Sequence, residues 1–240
     1  MRYLNRFILF GFVIITCSCK QNTSAQHYTI ALYNVENLFD TYDDPKTIDE
    51  DFLPDGKYQW NIKRYNDKLE KLSKVISQLG DEDGPEIIGL CEVENRKVVE
   101  DLLNTEKLMK FGYSIIHQDS PDRRGIDVAF VYKEAIFKPI FHKAYTINFP
   151  EEPDLRTRHF LLVSGVFAER DTLHFIVNHW PSRWGGAAKS EYKRIYVASR
   201  VKEVIDFIFA IDVKSKIIIM GDFNDEPDNK IGRASCRERV

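Results

Sequence analysis

Four apolar, strand-like segments of this sequence are followed by polar side chains that could perform phosphoester chemistry. These residues are Asn34 and Glu36 after YTIALY, Glu92 after EIIGLC, His179 after FIVN, and Asp222 and Asn224 after KIIIMG. Polar groups at the ends of apolar strands converge at one edge of a sheet, where ligand sites form in α/β proteins. We therefore expect these side chains, which are spread over most of the chain, to share one site.

The candidate metal ligands, Asn34, Glu36 and Glu92, offer oxygen atoms and no sulfur. Such ligands suit Mg²⁺ or Mn²⁺, and also Ca²⁺, better than zinc. His179 can donate a hydrogen bond to a phosphoryl oxygen or carry a proton, and the two polar residues after the last strand can orient a water molecule. A divalent cation, an imidazole and a carboxylate together can hydrolyse a phosphoester.

Hydrophobic periodicity predicts the elements that would position these residues. Apolar runs predict strands at 28–38, 86–94, 113–117, 126–132, 137–147, 160–167, 173–178 and 216–224. Apolar side chains at three- and four-residue steps predict helices at 62–79 and 190–209, and 98–108 could form another. Because helices alternate with strands in places and hairpin-like pairs fill the middle, we expect an α/β fold, a four-layer sandwich of two mixed β-sheets flanked by helices.

The composition allows one sizeable domain and gives it no general attraction for nucleic acid. The chain has 240 residues, of which 43% are hydrophobic, enough for one core. Its formal net charge is −3 and becomes −7 when the charges of residues 1–18 and 231–240 are set aside. A phosphate-bearing substrate would therefore need a local basic patch or a bound cation. Cys91 lies in an apolar strand, where we expect it to be buried and inert.

Five segments occur in a characteristic order between residues 28 and 229, namely YNVENLFD, LCEVEN, RRGIDVAFVY, VNHWPSR and IIIMGDFND. They resemble the motifs of the endonuclease/exonuclease/phosphatase superfamily, which includes deoxyribonuclease I, abasic-site endonucleases, bacterial sphingomyelinases and inositol polyphosphate 5-phosphatases. The closest resemblance is to bacterial proteins called predicted extracellular nucleases. It implies a deoxyribonuclease I-like fold and phosphodiester hydrolysis that depends on Mg²⁺ or Mn²⁺.

The resemblance also implies roles for individual residues. Glu92 would bind the divalent ion directly, Asn34 would lie near it, and Glu36 occupies a place where some members have a further acidic residue. His179 would contact the scissile phosphate.

Asp222 and Asn224 match a pair that orients the attacking water and the phosphate. Arg158 matches a phosphate-contacting arginine less securely, and Arg124 and Arg183 are weaker candidates for phosphate binding, because surface arginines are usually solvated.

The resemblance favours nucleic acid as the substrate and an endonuclease as the activity. The alternatives are a phospholipid or sphingomyelin head group, or an inositol phosphate. A protein of another class, an inactive surface-binding lipoprotein, is also compatible with parts of the sequence. Tyr58, Trp60 and Trp184 could stack on a base or sugar, or pack in the core or at its rim. We expect a monomer.

The N-terminal segment resembles a bacterial lipoprotein signal. Arg2 and Arg6 precede an apolar run at 7–16 that is too short to span a bilayer, and Cys19 follows shortly after it. We expect residues 1–18 to be a signal peptide, Cys19 to be lipidated and 19–27 to form a tether. The protein would then be anchored in the bacterial cell envelope, in the periplasm or on the outer-membrane surface. The alternative is an ordinary secretory signal and a secreted protein.

The last ten residues, IGRASCRERV, break with the preceding pattern. They resemble the translation of a sequencing-adapter oligonucleotide, and a natural basic tail is the alternative. We expect 231–240 to be such an artefact and 28–230 to be a partial domain. The family's late Asp-His motif, which supplies a general-base histidine, has no counterpart here. We therefore expect the fold to be incomplete at its C-terminus and the chain as written to be inactive.

Overall fold

A computed structural model describes residues 27–80 and 82–226. The predicted signal peptide, Cys19 and the segment 231–240 lie outside these residues. The described strands are β1 (Ile30–Leu38), β2 (Ile87–Val93), β3 (Tyr113–His117), β4 (Asp127–Lys133), β5 (Phe137–Tyr145), β6 (Phe160–Phe167), β7 (Asp171–His179) and β8 (Lys216–Asp222). The α-helices among them are α1 (Ile62–Ile76), α2 (Arg96–Leu103) and α3 (Ala187–Ile211), and 3₁₀ turns occur at Glu50–Phe52 and Met109–Phe111.

The strands form two four-stranded mixed sheets. The first has the order β1-β2-β4-β3 and the second the order β5-β6-β7-β8. In each sheet one edge strand is parallel to its neighbour, β1 beside β2 and β8 beside β7, and the other pairs are antiparallel. The predicted mixed sheets are therefore confirmed.

The apolar side chains divide into three clusters that define four layers. Side chains such as Phe130 and Phe175 fill the space between the two sheets. Leu90 and other outward-facing residues of the first sheet pack against α1 and α2, and Ile176 of the second sheet packs in the same way against α3, which contributes Val201. Burying an apolar face against another layer is what stabilises such sandwiches. The predicted four-layer architecture is confirmed.

The boundaries of the predicted elements shift by a few residues, most clearly at the helices. Helix α1 ends at Ile76 rather than at 79, because the following residues turn. Helix α2 begins at Arg96, where the side chain of Asn95 caps it by accepting a hydrogen bond from the Val98 amide (3.0 Å). None of the helices described is long and apolar enough to cross a membrane.

The edge strands β1 and β8 lie against each other on the same side of the sandwich. Strand β2 runs parallel to β1, and β7 runs parallel to β8. The C-terminal ends of β2 and β7 therefore lie beside the C-terminal ends of the two edge strands. This side of the molecule is therefore where the predicted site residues meet.

Candidate active site

The structure brings together four of the predicted site residues, each from a different strand. The carboxylates of Glu92 and Asp222 and the imidazole of His179 have ligand atoms that all lie within 4.8 Å of one another. The Asn34 amide nitrogen donates hydrogen bonds to Glu92 Oε1 (3.2 Å) and Asp222 Oδ2 (3.0 Å). Asn34 therefore links the two carboxylates across the junction of the sheets.

Glu92 reaches this cluster through a bulge in β2. The pairing of β2 with β4 shifts register between Cys91 and Val93, and the Glu92 backbone is left-handed with φ 66°. Leu90 and Val93 consequently face the same helical layer although they are three residues apart. Strand bulges re-aim side chains in this way, and a left-handed non-glycine residue costs about 1–3 kcal/mol. The strain is thus located at the residue whose carboxylate enters the site.

A short turn after β8 fixes Asp222 and Asn224. Asp222 Oδ1 accepts a hydrogen bond from the backbone amide of Asn224 (2.9 Å), and the Asn224 side chain donates one to the Trp180 carbonyl (3.0 Å). The Trp180 amide in turn donates to the Asp222 carbonyl (2.9 Å). The turn is therefore tied to the segment that immediately follows His179.

His179 is a neutral ring held against a buried guanidinium. Arg158 Nη2 is 2.8 Å from His179 Nε2, and Arg158 Nε is 3.3 Å from Nδ1. Burial, and then the positive charges of Arg158 and Arg124, lower the pKa of His179 to about 2. Because arginine can only donate hydrogen bonds, a ring that accepts one from it must be unprotonated at that nitrogen. The positive charge at this point of the site therefore belongs to Arg158.

Asp122 holds Arg158 in place and is a site residue that the sequence interpretation missed. Its Oδ2 atom accepts a hydrogen bond from Arg158 Nη1 (3.3 Å), and both side chains are buried. Burial lowers the pKa of Arg158 and the negative charge of Asp122 opposes that shift. Nothing in the sequence signals this pair, because an aspartate in the loop before RRGID reads as an ordinary turn residue.

Lys68 is a second residue that the sequence did not reveal. Its ammonium donates hydrogen bonds to the backbone carbonyls of Glu36 and Asn37. Burial lowers the Lys68 pKa, and the charges of Glu36 and Glu92 act in the opposite direction. In the sequence, Lys68 is one of several lysines on an amphipathic helix, where a charged side chain is usually solvated.

Only some of the predicted metal ligands lie together in the site. Asn34 turns its amide nitrogen towards the carboxylates, while its oxygen accepts a hydrogen bond from the Glu36 backbone amide (2.9 Å). The Glu36 side chain is exposed and does not belong to the cluster of Glu92, His179 and Asp222. Two carboxylates and a neutral imidazole nevertheless fit a divalent cation, because close carboxylates repel each other unless positive charge lies between them.

The two weaker phosphate candidates are found in different surroundings. Arg124 is exposed, with its Nε 3.7 Å from Asp122 Oδ1, and lines a cavity beside Arg158. Arg183 is committed to the turn after β8, since its guanidinium donates to the Asn224 carbonyl (2.9 Å) and to the carboxylates of Asp225 (2.9 Å) and Glu226 (3.2 Å). Arg183 thus stabilises the turn that carries Asn224.

A sequence model described as the Endonuclease/Exonuclease/phosphatase family matches residues 29–236. The chain belongs to this family. The resemblance of the five ordered motifs is thereby confirmed, and with it membership of a family of phosphoesterases that use divalent metal ions. No curated protein sequence matches the chain.

Three experimental structures share the fold. An endonuclease/exonuclease/phosphatase family protein from Bacteroides thetaiotaomicron has a TM-score of 0.54 and 17% identity, over 86% of this chain and 67% of that one. ANGEL2, a 2',3'-cyclic phosphatase, in complex with adenosine-2',3'-vanadate, has a TM-score of 0.55 and 16% identity, over 85% and 55%. TDP2 from Caenorhabditis elegans has a TM-score of 0.52 and 15% identity, over 70% and 45%. The chain thus spans about half the length of the last two.

Proposed function

We propose that this protein is a divalent-metal-dependent phosphodiester hydrolase that acts on nucleic acid. The observation that carries the proposal is the convergence of Glu92, Asp222 and His179 within 4.8 Å, beside the buried guanidinium of Arg158. Two carboxylates and an imidazole that can bind a metal ion, next to a buried guanidinium, are suited to binding and hydrolysing a phosphate ester. Membership of the family and the similarity to ANGEL2, a 2',3'-cyclic phosphatase, support the phosphoester class. The nucleic-acid substrate is the finer part of the proposal.

In this proposal the carboxylates of Glu92 and Asp222 would hold a Mg²⁺ or Mn²⁺ ion, and the His179 imidazole, one of whose ring nitrogens lies within 4.8 Å of them, could contribute a further ligand. When bound, such an ion polarises a phosphoryl oxygen and stabilises a leaving oxyanion. Arg158 binds a non-bridging phosphate oxygen, and its position is fixed by Asp122. The carboxylate of Asp222 orients the attacking water by accepting a hydrogen bond from it, and Asn34 keeps the two carboxylates apart and aligned.

The test is hydrolysis of defined substrates by the purified protein extended beyond residue 230 to a natural stop codon, since the late Asp-His motif is expected there. Labelled single-stranded DNA, duplex DNA, RNA and sphingomyelin are incubated with Mg²⁺, with Mn²⁺ and with EDTA. We expect metal-dependent cleavage of nucleic acid and none in EDTA. Turnover that is unchanged in EDTA, or cleavage of sphingomyelin alone, contradicts the proposal.

Variants connect that activity with the site. His179→Ala should reduce turnover by about a hundredfold, the scale of removing one group that stabilises the transition state. Glu92→Gln should raise the Mg²⁺ concentration needed for half-maximal activity. His142→Ala is the matched control, because His142 is exposed on β5, the edge strand farthest from β8 in the second sheet.

We also propose that Cys19 carries a lipid that anchors the enzyme in the bacterial envelope. A single anchor of this kind holds a protein at the membrane surface without spanning it. In a bacterial host the protein should fractionate with membranes, and Cys19→Ala should release it or block its processing. A mature N-terminus downstream of residue 19 with no modification, found by mass spectrometry, contradicts this proposal.

A further inference from the structure

A groove lined by positive side chains leads away from His179. A cavity of about 430 Å³ lies beside Arg158 and is lined also by Arg124, Arg156, Lys193 and Trp184. We call this cavity the basic groove and define it by these five residues. A neighbouring cavity of about 910 Å³ shares Arg124, Arg156 and Trp184, but it is lined also by carboxylates and is not part of the basic groove.

The charge of the basic groove stands out against an acidic chain. Four of its five residues are cationic, whereas the whole sequence has a formal net charge of −3. Lys193 is paired with Glu152 (3.1 Å), and Asp122 partly offsets the charges of Arg158 and Arg124. Arg156 is exposed and no described carboxylate forms an ion pair with it; it donates to the Pro153 carbonyl (2.8 Å). A local positive field of this kind attracts phosphate groups that the rest of the surface repels.

Trp184 gives the basic groove a flat apolar surface. Its side chain is 91% exposed, whereas Trp180 is buried and Trp60 is partly buried against the core and donates its indole N–H to the Phe39 carbonyl. Tryptophan is mostly buried in folded proteins, so an indole left in solvent beside several arginines is an informative exception. Nucleobases stack on such rings whatever their identity, because every base has a π-face.

We propose that the basic groove binds an unpaired nucleotide next to the scissile phosphate, with its base on Trp184 and its flanking phosphate on Arg124 and Arg156. The nucleotide must be unpaired, because the faces of bases inside a duplex are covered by their neighbours. The inference rests on the proposed function in one respect, that the scissile phosphate lies at Arg158 and His179. A phosphocholine head group suits the groove less well, because its quaternary ammonium is attracted by the Trp184 ring but repelled by the cations beside that ring, whereas a nucleobase is uncharged.

Equilibrium binding in EDTA tests the groove without hydrolysis. Fluorescence anisotropy compares a labelled single-stranded oligothymidylate of about ten nucleotides with an oligomer of equal length in which every base is replaced by an abasic tetrahydrofuran. Wild type should bind the intact oligomer about tenfold more tightly, the scale of one stacked base. Trp184→Ala should abolish this preference and leave the affinity for the abasic oligomer unchanged. Because Trp184 is exposed, this change should not alter the thermal midpoint.

The arginines and a matched aromatic residue separate charge from stacking. Replacing both Arg124 and Arg156 with glutamine should weaken binding of both oligomers equally. It should also flatten the dependence of log affinity on log salt by about 0.7 for each phosphate that is no longer neutralised. Phe207→Ala, which removes an exposed aromatic residue of α3, should leave both affinities unchanged.

Failure of the groove inference can be distinguished from failure of the proposed function. Equal wild-type affinities for the intact and abasic oligomers, or a Trp184→Ala variant that binds like wild type, would overturn the inference even if metal-dependent hydrolysis is found. Base-dependent binding that requires Trp184, with no hydrolysis of any phosphodiester, would support the basic groove and refute the proposed function. Binding to sphingomyelin vesicles that requires Trp184, without oligonucleotide binding, would also overturn the inference.

Discussion

The amide nitrogen of Asn34 and a carboxylate oxygen of Asp222 are 3.0 Å apart, although 188 residues separate them in the chain. Asn34 belongs to β1, an edge strand of the first sheet, and Asp222 ends β8, an edge strand of the second. The site is therefore assembled from both sheets and depends on how they pack against each other. Changes at this junction should alter cation binding and stability together.

Asn34→Asp should make the stability of the protein depend more strongly on a divalent cation. The change places a third carboxylate beside Glu92 and Asp222 and removes the amide donor that links them. In EDTA the repulsion should cost about 1–2 kcal/mol, which corresponds to a fall of several degrees in Tm. Addition of Mg²⁺ should then raise the Tm of the variant more than that of wild type, because the cation binds the folded state.

The matched control is Asn66→Asp, the same chemical change at an exposed position of α1. Its Tm should respond to Mg²⁺ as wild type does. Equal Mg²⁺-induced shifts in the Asn34 and Asn66 variants, measured by circular dichroism, would show that the junction is not a cation site.

The four layers and the site residues Glu92, His179 and Asp222 could be predicted from the sequence because the signals for them are local. Strands such as β2 and β8 are apolar runs that end in polar residues, and this local pattern indicates both a buried strand and the end of it that carries a site. The position of Glu92 or Asp222 at a sheet end therefore follows from the sequence alone.

What the sequence could not reveal depends on contacts between distant residues. The ion pair of Asp122 with Arg158 spans 36 residues, and the neutral state of His179 follows from burial beside that guanidinium. The bulge at Glu92 is a backbone feature with no glycine to mark it. Glu36 was predicted from its place at the end of the first strand and from the family resemblance, yet its side chain is exposed, and its backbone is left-handed with φ 54°.

Asp122→Asn should be strongly destabilising. It leaves the buried guanidinium of Arg158 without its counter-charge, a change that typically costs about 3–5 kcal/mol. The double variant Asp122→Asn with Arg158→Met should recover part of this loss, since no buried charge is then left unpaired. Chemical denaturation measures the free energies of unfolding of the four proteins.

An exposed ion pair provides the comparison for that cycle. Arg200 and Glu203 lie one turn apart on α3 with both side chains largely solvated, so Glu203→Gln should cost less than about 1 kcal/mol. A double variant of Asp122 and Arg158 whose loss equals the sum of the single losses would contradict the coupling.

His159 should make the protein less stable at acidic pH. Burial lowers the pKa of His159, so the unfolded chain binds a proton near its ordinary value of about 6.5 while the folded protein does not. The stability contributed by neutral His159 is therefore complete above that pH and falls as the pH drops below it.

Comparison of Tm at pH 7.5 and at pH 5.5 should give a smaller difference for His159→Gln than for wild type. His142→Gln, at an exposed position of β5, should retain the wild-type difference. Identical pH dependence in wild type and His159→Gln would refute the assignment.

Gly221→Ala should damage both the stability and the site, because a side chain at this position has no room. Gly221 precedes Asp222 with φ 150°, and an added Cβ would lie 2.1 Å from the Asn178 carbonyl oxygen on β7. Strands β7 and β8 would have to separate there, which should cost more than about 2 kcal/mol. The separation would also displace Asp222 from Asn34 and from the Trp180 amide.

Gly112→Ala separates this steric effect from backbone strain alone. Gly112 is left-handed with φ 63°, but an added Cβ would meet no atom within 4 Å, so the change should cost only about 1 kcal/mol. Thermal melts with and without Mg²⁺ measure both consequences. We expect Gly112→Ala to keep the full rise in Tm on addition of Mg²⁺ and Gly221→Ala to lose it. If Gly221→Ala keeps that rise, the geometry of Asp222 does not depend on the close approach of β7 and β8.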